Sequence, residues 1–104
     1  MVVSMRARED FLLHVNELLD TLKTLVQQKN SKNINAALVT KAAILMKRVE
    51  ESAVDVGRPL LDKGLVREYQ LKMYPLANDL VAVLNRQFWE SFSAISRTYH
   101  ILEY

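Results

Sequence analysis

Residues 11–25 read FLLHVNELLDTLKTL, and the spacing of their apolar side chains points to the fold class. These side chains recur at intervals of four and three residues, with a second row beside them: Phe11, Val15, Leu18, Leu22 and Leu25, then Leu12, Leu19 and Val26. That spacing marks one face of an α-helix, because about 3.6 residues complete each turn. The pattern stops at the polar run QQKNSKN, so it predicts one amphipathic helix over residues 5–29.

A second helix is predicted over residues 35–56. Asn33 or Asn35 can cap its start, because a short amide side chain accepts hydrogen bonds from the free N–H groups of a first turn. Gly57 can end it, since glycine takes a positive φ without strain. The apolar stripe has the same helical spacing and comprises Leu38, Ala42, Leu45, Val49 and Ala53, with Ile44 and Val56 beside it.

A short helical turn and a third helix are predicted next. Pro59 suits the first position of a helix, and Gly64 follows five residues later, so we expect one short turn over residues 59–63. The third helix is predicted over residues 65–74, where Leu65, Tyr69 and Met73 recur at four-residue spacing.

Pro75 is predicted to separate the third helix from a long last helix over residues 76–102. Proline lacks a backbone N–H and clashes with the preceding turn, so a helix should stop before it. At about 100° per residue, apolar side chains cover more than half of the last helix. We expect this helix to lie at the centre of the bundle, with an aromatic line of Phe88, Phe92 and Tyr99 and with Trp89 about 100° to one side.

These patterns predict an all-α fold, a compact bundle of four main helices plus a short helical turn. Two glycines and two prolines are too few for the many turns of an all-β protein. A chain of 104 residues is also too short for two independent cores, so we expect one domain over residues 1–104.

Catalytic, cofactor and metal signatures are weak in this sequence. It contains no cysteine, no phosphate-binding glycine loop and no glycine after residue 64 that could shape an oxyanion hole. Asp10, His14 and Glu17 share a helix face, but a solvated polar face explains them better than a metal site. We therefore expect no enzyme, no cofactor and no metal.

The apolar runs and the start of the chain bear on location. The longest apolar runs fall far short of the roughly 20 residues that a membrane helix needs. The first residues, MVVSMRAREDF, place charges where a secretory signal would be apolar. We expect no membrane span and an intracellular location, either cytoplasmic or nuclear.

The middle of the chain is mildly basic. Residues 29–72 contain nine Lys and Arg against five Asp and Glu. Two of these cations, Lys41 and Arg48, share a face of the second helix because they are seven residues apart. The other candidates for contact with phosphates or an acidic partner are Arg58, Lys63, Arg67 and Lys72.

The sequence favours a non-catalytic protein–protein interaction module, such as an adaptor or a small subunit of a larger complex. It would dock a partner helix or peptide through an apolar and aromatic surface, with Trp89, Ile101 and Tyr104 as candidate contacts. The alternative is a nucleic-acid-associated helical domain of the transcription type, which would use the basic surface of residues 41–72. A third hypothesis is a coiled-coil-like homodimer built on the stripe of residues 11–25.

Overall fold

The structure, a computed structural model, describes residues 2–30, 33–56 and 63–99. Over these ranges it contains four α-helices: α1 (Val2–Gln28), α2 (Ala36–Val56), α3 (Lys63–Asp79) and α4 (Arg86–Tyr99). The predicted all-α bundle of four main helices is confirmed. The first two helices match their predicted ranges closely, whereas the boundary between the last two lies elsewhere.

Asn35 sets the start of α2. Its side-chain Oδ1 accepts a hydrogen bond from the N–H of Ala37 at 2.9 Å, which satisfies one of the free donors of the first turn. The N–H of Asn35 in turn donates to Oε1 of Gln28, near the end of α1, at 3.2 Å. Of the two asparagines predicted as caps, the structure selects Asn35, and the helix begins one residue later.

The prediction that Pro75 ends the third helix is wrong. α3 runs through Pro75 and ends only at Asp79. Proline removes the hydrogen bond to the carbonyl of Leu71, but both residues are exposed, so water can reach the carbonyl left without its helical donor. Met73 and Ala77 are buried on either side of the proline, and their packing holds α3 together across it.

The prediction of one continuous last helix over residues 76–102 is also wrong. Residues 80–84 form turns, in which the N–H groups of Val83 and Leu84 donate to the carbonyl of Leu80 at 2.9 and 2.8 Å. The side chain of Asn85 then caps α4, because its Oδ1 accepts from the N–H of Phe88 at 3.0 Å. Val81 is 47% exposed on this turn.

Lys29 joins the end of α1 to the end of α3. Its Nζ donates a 3.2 Å hydrogen bond to the carbonyl of Asp79. The last carbonyls of a helix have no partner within the helix, so a cation placed there satisfies one of them and interacts favourably with the helix dipole. This contact helps to fix the point at which α3 stops.

The predicted short turn over residues 59–63 lies almost wholly outside the described residues. The exception is Lys63, which is the first residue of α3. The third helix therefore begins two residues before its predicted start.

Within the described residues, one hydrophobic cluster draws side chains from all four helices and from the turn after α3. Its largest fully buried side chains are Phe11, Phe88, Phe92, Leu18, Leu22, Leu25, Leu45, Met46, Met73, Leu80 and Val15. The stripe of residues 11–25 thus forms the inner face of the bundle. The hypothesis that this stripe pairs two copies as a coiled coil is wrong, because its side chains are already buried within one chain.

The helices pack in a closed order. α1 lies against α2 and α3, and α2 lies against α4. A buried hydrogen bond from Gln70 Nε2 to Ser96 Oγ links α3 to α4 and closes this order of helices. In this closed order α2 and α3 occupy opposite corners of the bundle, and over the described residues they make no extensive interface with each other.

Candidate partner-binding surface

Trp89 lies at the rim of the core. It is half-buried and packs against the hydrophobic cluster. Its ring meets the rings of Phe88 and Phe92 edge to face, with centroids 5.1 and 5.7 Å apart. Edge-to-face pairs add stability beyond simple area burial. Much of the indole surface is therefore engaged inside the chain, and a partner would meet only its outer part.

The other two predicted aromatic and apolar contacts, Ile101 and Tyr104, lie outside the described residues. The aromatic line predicted beside Trp89 is confirmed where it can be seen. Phe88 and Phe92 are fully buried, and Ile95 is buried one turn further on. These rings belong to the core and are not available to a partner.

The predicted basic residues are divided between two helices. Lys41 and Arg48 are exposed on α2, whereas Arg67 and Lys72 are exposed on α3. Because α2 and α3 occupy opposite corners of the bundle, the two pairs do not form one continuous patch. Arg58 and the side chain of Lys63 lie outside the described part of the chain.

Lys72 is also engaged within its own helix. Its Nζ lies 3.3 Å from a carboxylate oxygen of Glu68 and 5.2 Å from the centre of the Tyr69 ring. An exposed ion pair of this kind contributes little to stability, but it partly neutralises the cation. Of the four exposed cations, Lys72 is therefore the least suited to grip a phosphate.

An open groove of about 510 Å³ runs between α2 and α4. This volume falls within the range of ordinary binding clefts, which is about 300 to 1,000 Å³. Two small buried residues contribute to its lining, Ala43 from α2 and Ser91 from α4. The remaining lining is formed by longer side chains: Ile44, Lys47, Arg48, Glu50, Glu51, Gln87 and Glu90.

Ile44 is the exposed apolar residue of this groove. It was predicted beside the buried stripe of α2, but its side chain is 48% exposed, so that prediction is wrong. Two residues turn a helix by about 200°, and the residues two positions before and after it, Ala42 and Met46, are both fully buried. Ile44 therefore lies at the middle of the solvent-facing side of α2.

Charges of both signs surround Ile44. Lys47 pairs with Glu50 at 3.2 Å on α2, and Arg86 pairs with Glu90 at 2.8 Å on α4. Within the described residues, Arg48 and Glu51 take part in no ion pair. The groove thus combines an apolar centre with two opposite charges that remain available to a partner.

Trp89 and the groove lie on different sides of α4. Gln87 lines the groove, and Trp89 follows it two positions later, which corresponds to about 160° around the helix axis. A partner seated in the groove would therefore not reach the indole. The groove is therefore a different surface from the one predicted around Trp89.

Among the described residues, two buried side-chain atoms lack a hydrogen-bond partner, Nδ1 of His14 and Oε1 of Gln70. His14 was considered with Asp10 and Glu17 as a candidate metal site. Among the described residues, no group of three or more His, Cys, Asp and Glu side chains is placed to hold a metal ion. Nothing in this region resembles a ligand set.

None of the helices in the described ranges has the length and apolar character needed to cross a membrane.

Comparisons with protein-family models, with curated proteins and with solved structures found no match to this chain.

Proposed function

We propose that this chain is a non-catalytic protein–protein interaction module, an adaptor or small complex subunit, that docks a partner helix in the α2–α4 groove. The observation that carries the proposal is the 48% exposure of Ile44 at the middle of the outer side of α2. An isolated exposed aliphatic residue is common, but this one borders a cleft of binding size.

The lining of the groove suits a helix better than a small molecule. Ala43 and Ser91 are small, so another backbone can approach closely. Lys47 and Arg48 carry long aliphatic stems that can cover a partner's apolar side chain while their charged ends stay in water. The apolar contact is modest, because full burial of an isoleucine contributes about 1.5 to 3 kcal/mol and Ile44 is already half covered. Affinity would therefore depend on matched charges around it.

The nucleic-acid alternative receives less support. Phosphate binding needs several cations that converge on one track, and here Lys41 and Arg48 are on a different corner of the bundle from Arg67 and Lys72. The exposed apolar side chain of Ile44 lies between Lys41 and Arg48 on the same helix face. An apolar residue at that point favours a protein partner over a phosphate backbone.

A photo-crosslinking residue placed at position 44 tests this function. Leu13 on α1 is the matched control, since it is an aliphatic residue of similar exposure, at 55%, outside the groove. The variant at Ile44 should form a discrete covalent protein product that mass spectrometry identifies, and the Leu13 variant should not. Equal cross-linking at both positions, or none at Ile44, would contradict the proposal.

A further inference from the structure

We propose that the partner helix is α2 of a second copy of this chain, packed antiparallel so that Lys41 of one copy pairs with Glu51 of the other. This inference rests on the proposed docking role of Ile44 and its neighbours Arg48 and Glu51, which line the α2 side of the groove, and it names the partner that covers them. Three observations carry it: the spacing of the exposed residues of α2, the order of their charges, and the availability of those charges.

The first observation is a stripe of exposed residues along α2, defined here as the outer stripe: Ala37, Lys41, Ile44, Arg48 and Glu51. Their spacings alternate between four and three residues. This alternation keeps all of them within about 80° of the helix surface, which is the pattern of a seam between two helices packed side by side. All five side chains can therefore reach the same neighbouring helix.

The second observation is the order of charges along α2. The basic residues Lys41, Lys47 and Arg48 all precede the acidic residues Glu50, Glu51 and Asp55. A helix dipole favours the reverse order, with acids near the N-terminus and bases near the C-terminus. The stability of α2 alone therefore does not explain this arrangement. An antiparallel copy does, because it places the basic half of each helix beside the acidic half of the other.

The residue numbers fix the register of the pair. Position 46 lies midway between 41 and 51, and also midway between 44 and 48. A two-fold axis at that level therefore sets Lys41 opposite Glu51 and Ile44 opposite the aliphatic stem of Arg48. Two-fold symmetry makes each contact occur twice. A parallel, in-register pair would instead set Lys41 against Lys41 and Glu51 against Glu51.

The third observation is that these charges are available. Lys41, Arg48 and Glu51 are exposed and form no ion pair in the part of the chain that the structure describes. Lys47, by contrast, is already paired with Glu50. Pairing two copies would thus add contacts without breaking those that each copy makes alone.

A charge-reversal cycle tests the proposal, with sedimentation velocity over a concentration series of the full chain. Wild type should show a reversible monomer–dimer equilibrium that weakens as salt rises. Lys41→Glu and Glu51→Lys should each raise the dimer dissociation constant about tenfold or more, because attraction becomes repulsion at two symmetric places. The double variant Lys41→Glu/Glu51→Lys restores opposite charges and should return the constant towards that of wild type. Lys23→Glu, an exposed reversal on α1, is the control and should have no effect.

The outcomes separate this inference from the proposed function. A chain that stays monomeric at every concentration overturns self-pairing, and the proposed function then stands only if the photo-crosslinker at Ile44 still traps another protein. A dimer that the double variant fails to restore overturns the antiparallel register. A dimer that never cross-links through position 44 contradicts both. The helical circular dichroism signal of each variant should be unchanged, which shows that loss of the dimer is not caused by unfolding.

Discussion

Gln70 Nε2 donates a 2.7 Å hydrogen bond to Ser96 Oγ, and this buried contact joins α3 to α4. Ser96 Oγ in turn donates to the carbonyl of Phe92 at 3.2 Å. The backbones of α3 and α4 approach each other less closely than those of the other neighbouring helices, so this polar link helps to hold the fourth side of the bundle. Gln70 Oε1 remains without a partner. Loss of the hydrogen bond from Nε2 would therefore leave the whole buried amide unsatisfied.

Ser96→Ala should destabilise the fold by about 1 to 3 kcal/mol, because it leaves the buried amide of Gln70 without its acceptor. Chemical denaturation measures this loss. Ser93→Ala, a half-buried serine on the same helix, should change the free energy of unfolding by less than about 0.5 kcal/mol.

The double variant Gln70→Met/Ser96→Ala should be more stable than Ser96→Ala alone. It removes both polar partners, so no buried amide is left unsatisfied. If the changes in unfolding free energy of the two single substitutions simply added, the hydrogen bond between Gln70 and Ser96 would not stabilise the fold.

Leu18→Ala and Leu45→Ala should each cost about 2 to 5 kcal/mol, since both side chains are buried in the shared core. Leu13→Ala is the matched control on the exposed side of α1 and should cost less than about 1 kcal/mol. Thermal or urea unfolding of the three variants gives the comparison. Small losses at both buried positions would mean that these stripes do not form the core.

Asn85→Ala distinguishes the observed break from a continuous last helix. With Asn85 as the cap of α4, its loss should destabilise the protein by about 1 kcal/mol. Alanine has the higher helix propensity, so the same substitution inside an uninterrupted helix would stabilise the protein instead. The sign of the change in unfolding free energy decides between the two arrangements.

Trp89→Ala should lower stability by about 1 to 3 kcal/mol, less than for a fully buried tryptophan, because the ring packs edge to face on Phe88 and Phe92 but is only partly buried. Self-association, measured by sedimentation, should persist at concentrations where the variant is folded. Lost association with unchanged stability would instead move the binding surface to the Trp89 side of α4.

Much of the fold follows from periodicity. The stripe of residues 11–25 and its counterpart on α2 predicted two helices closely, because buried side chains must recur with the helical period. The break between the last two helices was misplaced, because local rules gave Pro75 more weight than Asn78, Asp79 and Asn85. Burial of Met73 and Ala77 outweighed the proline, and the side chain of Asn85 set the start of α4.

The candidate surface was harder to predict than the fold. Ile44 resembles a core residue by type, and only its angle relative to Ala42 and Met46 reveals that it faces solvent. The alternation of the outer stripe was present in the sequence, but the contrast with the buried stripe becomes clear only once the packing of α2 is known. The pairing of α2 with α4, which creates the groove, has no sequence motif.

Pairing of the outer stripe of α2 with that of a second copy can be measured by methyl NMR of isoleucine-labelled protein over a dilution series. The chain has four isoleucines, and among the described ones Ile44 lies on the outer stripe, Ile95 is buried and Ile34 is exposed before α2. The Ile44 methyl resonance should shift with concentration, while those of Ile34 and Ile95 should stay nearly constant. An Ile44 resonance that does not move at any concentration, or that moves no more than that of Ile34, would contradict this pairing.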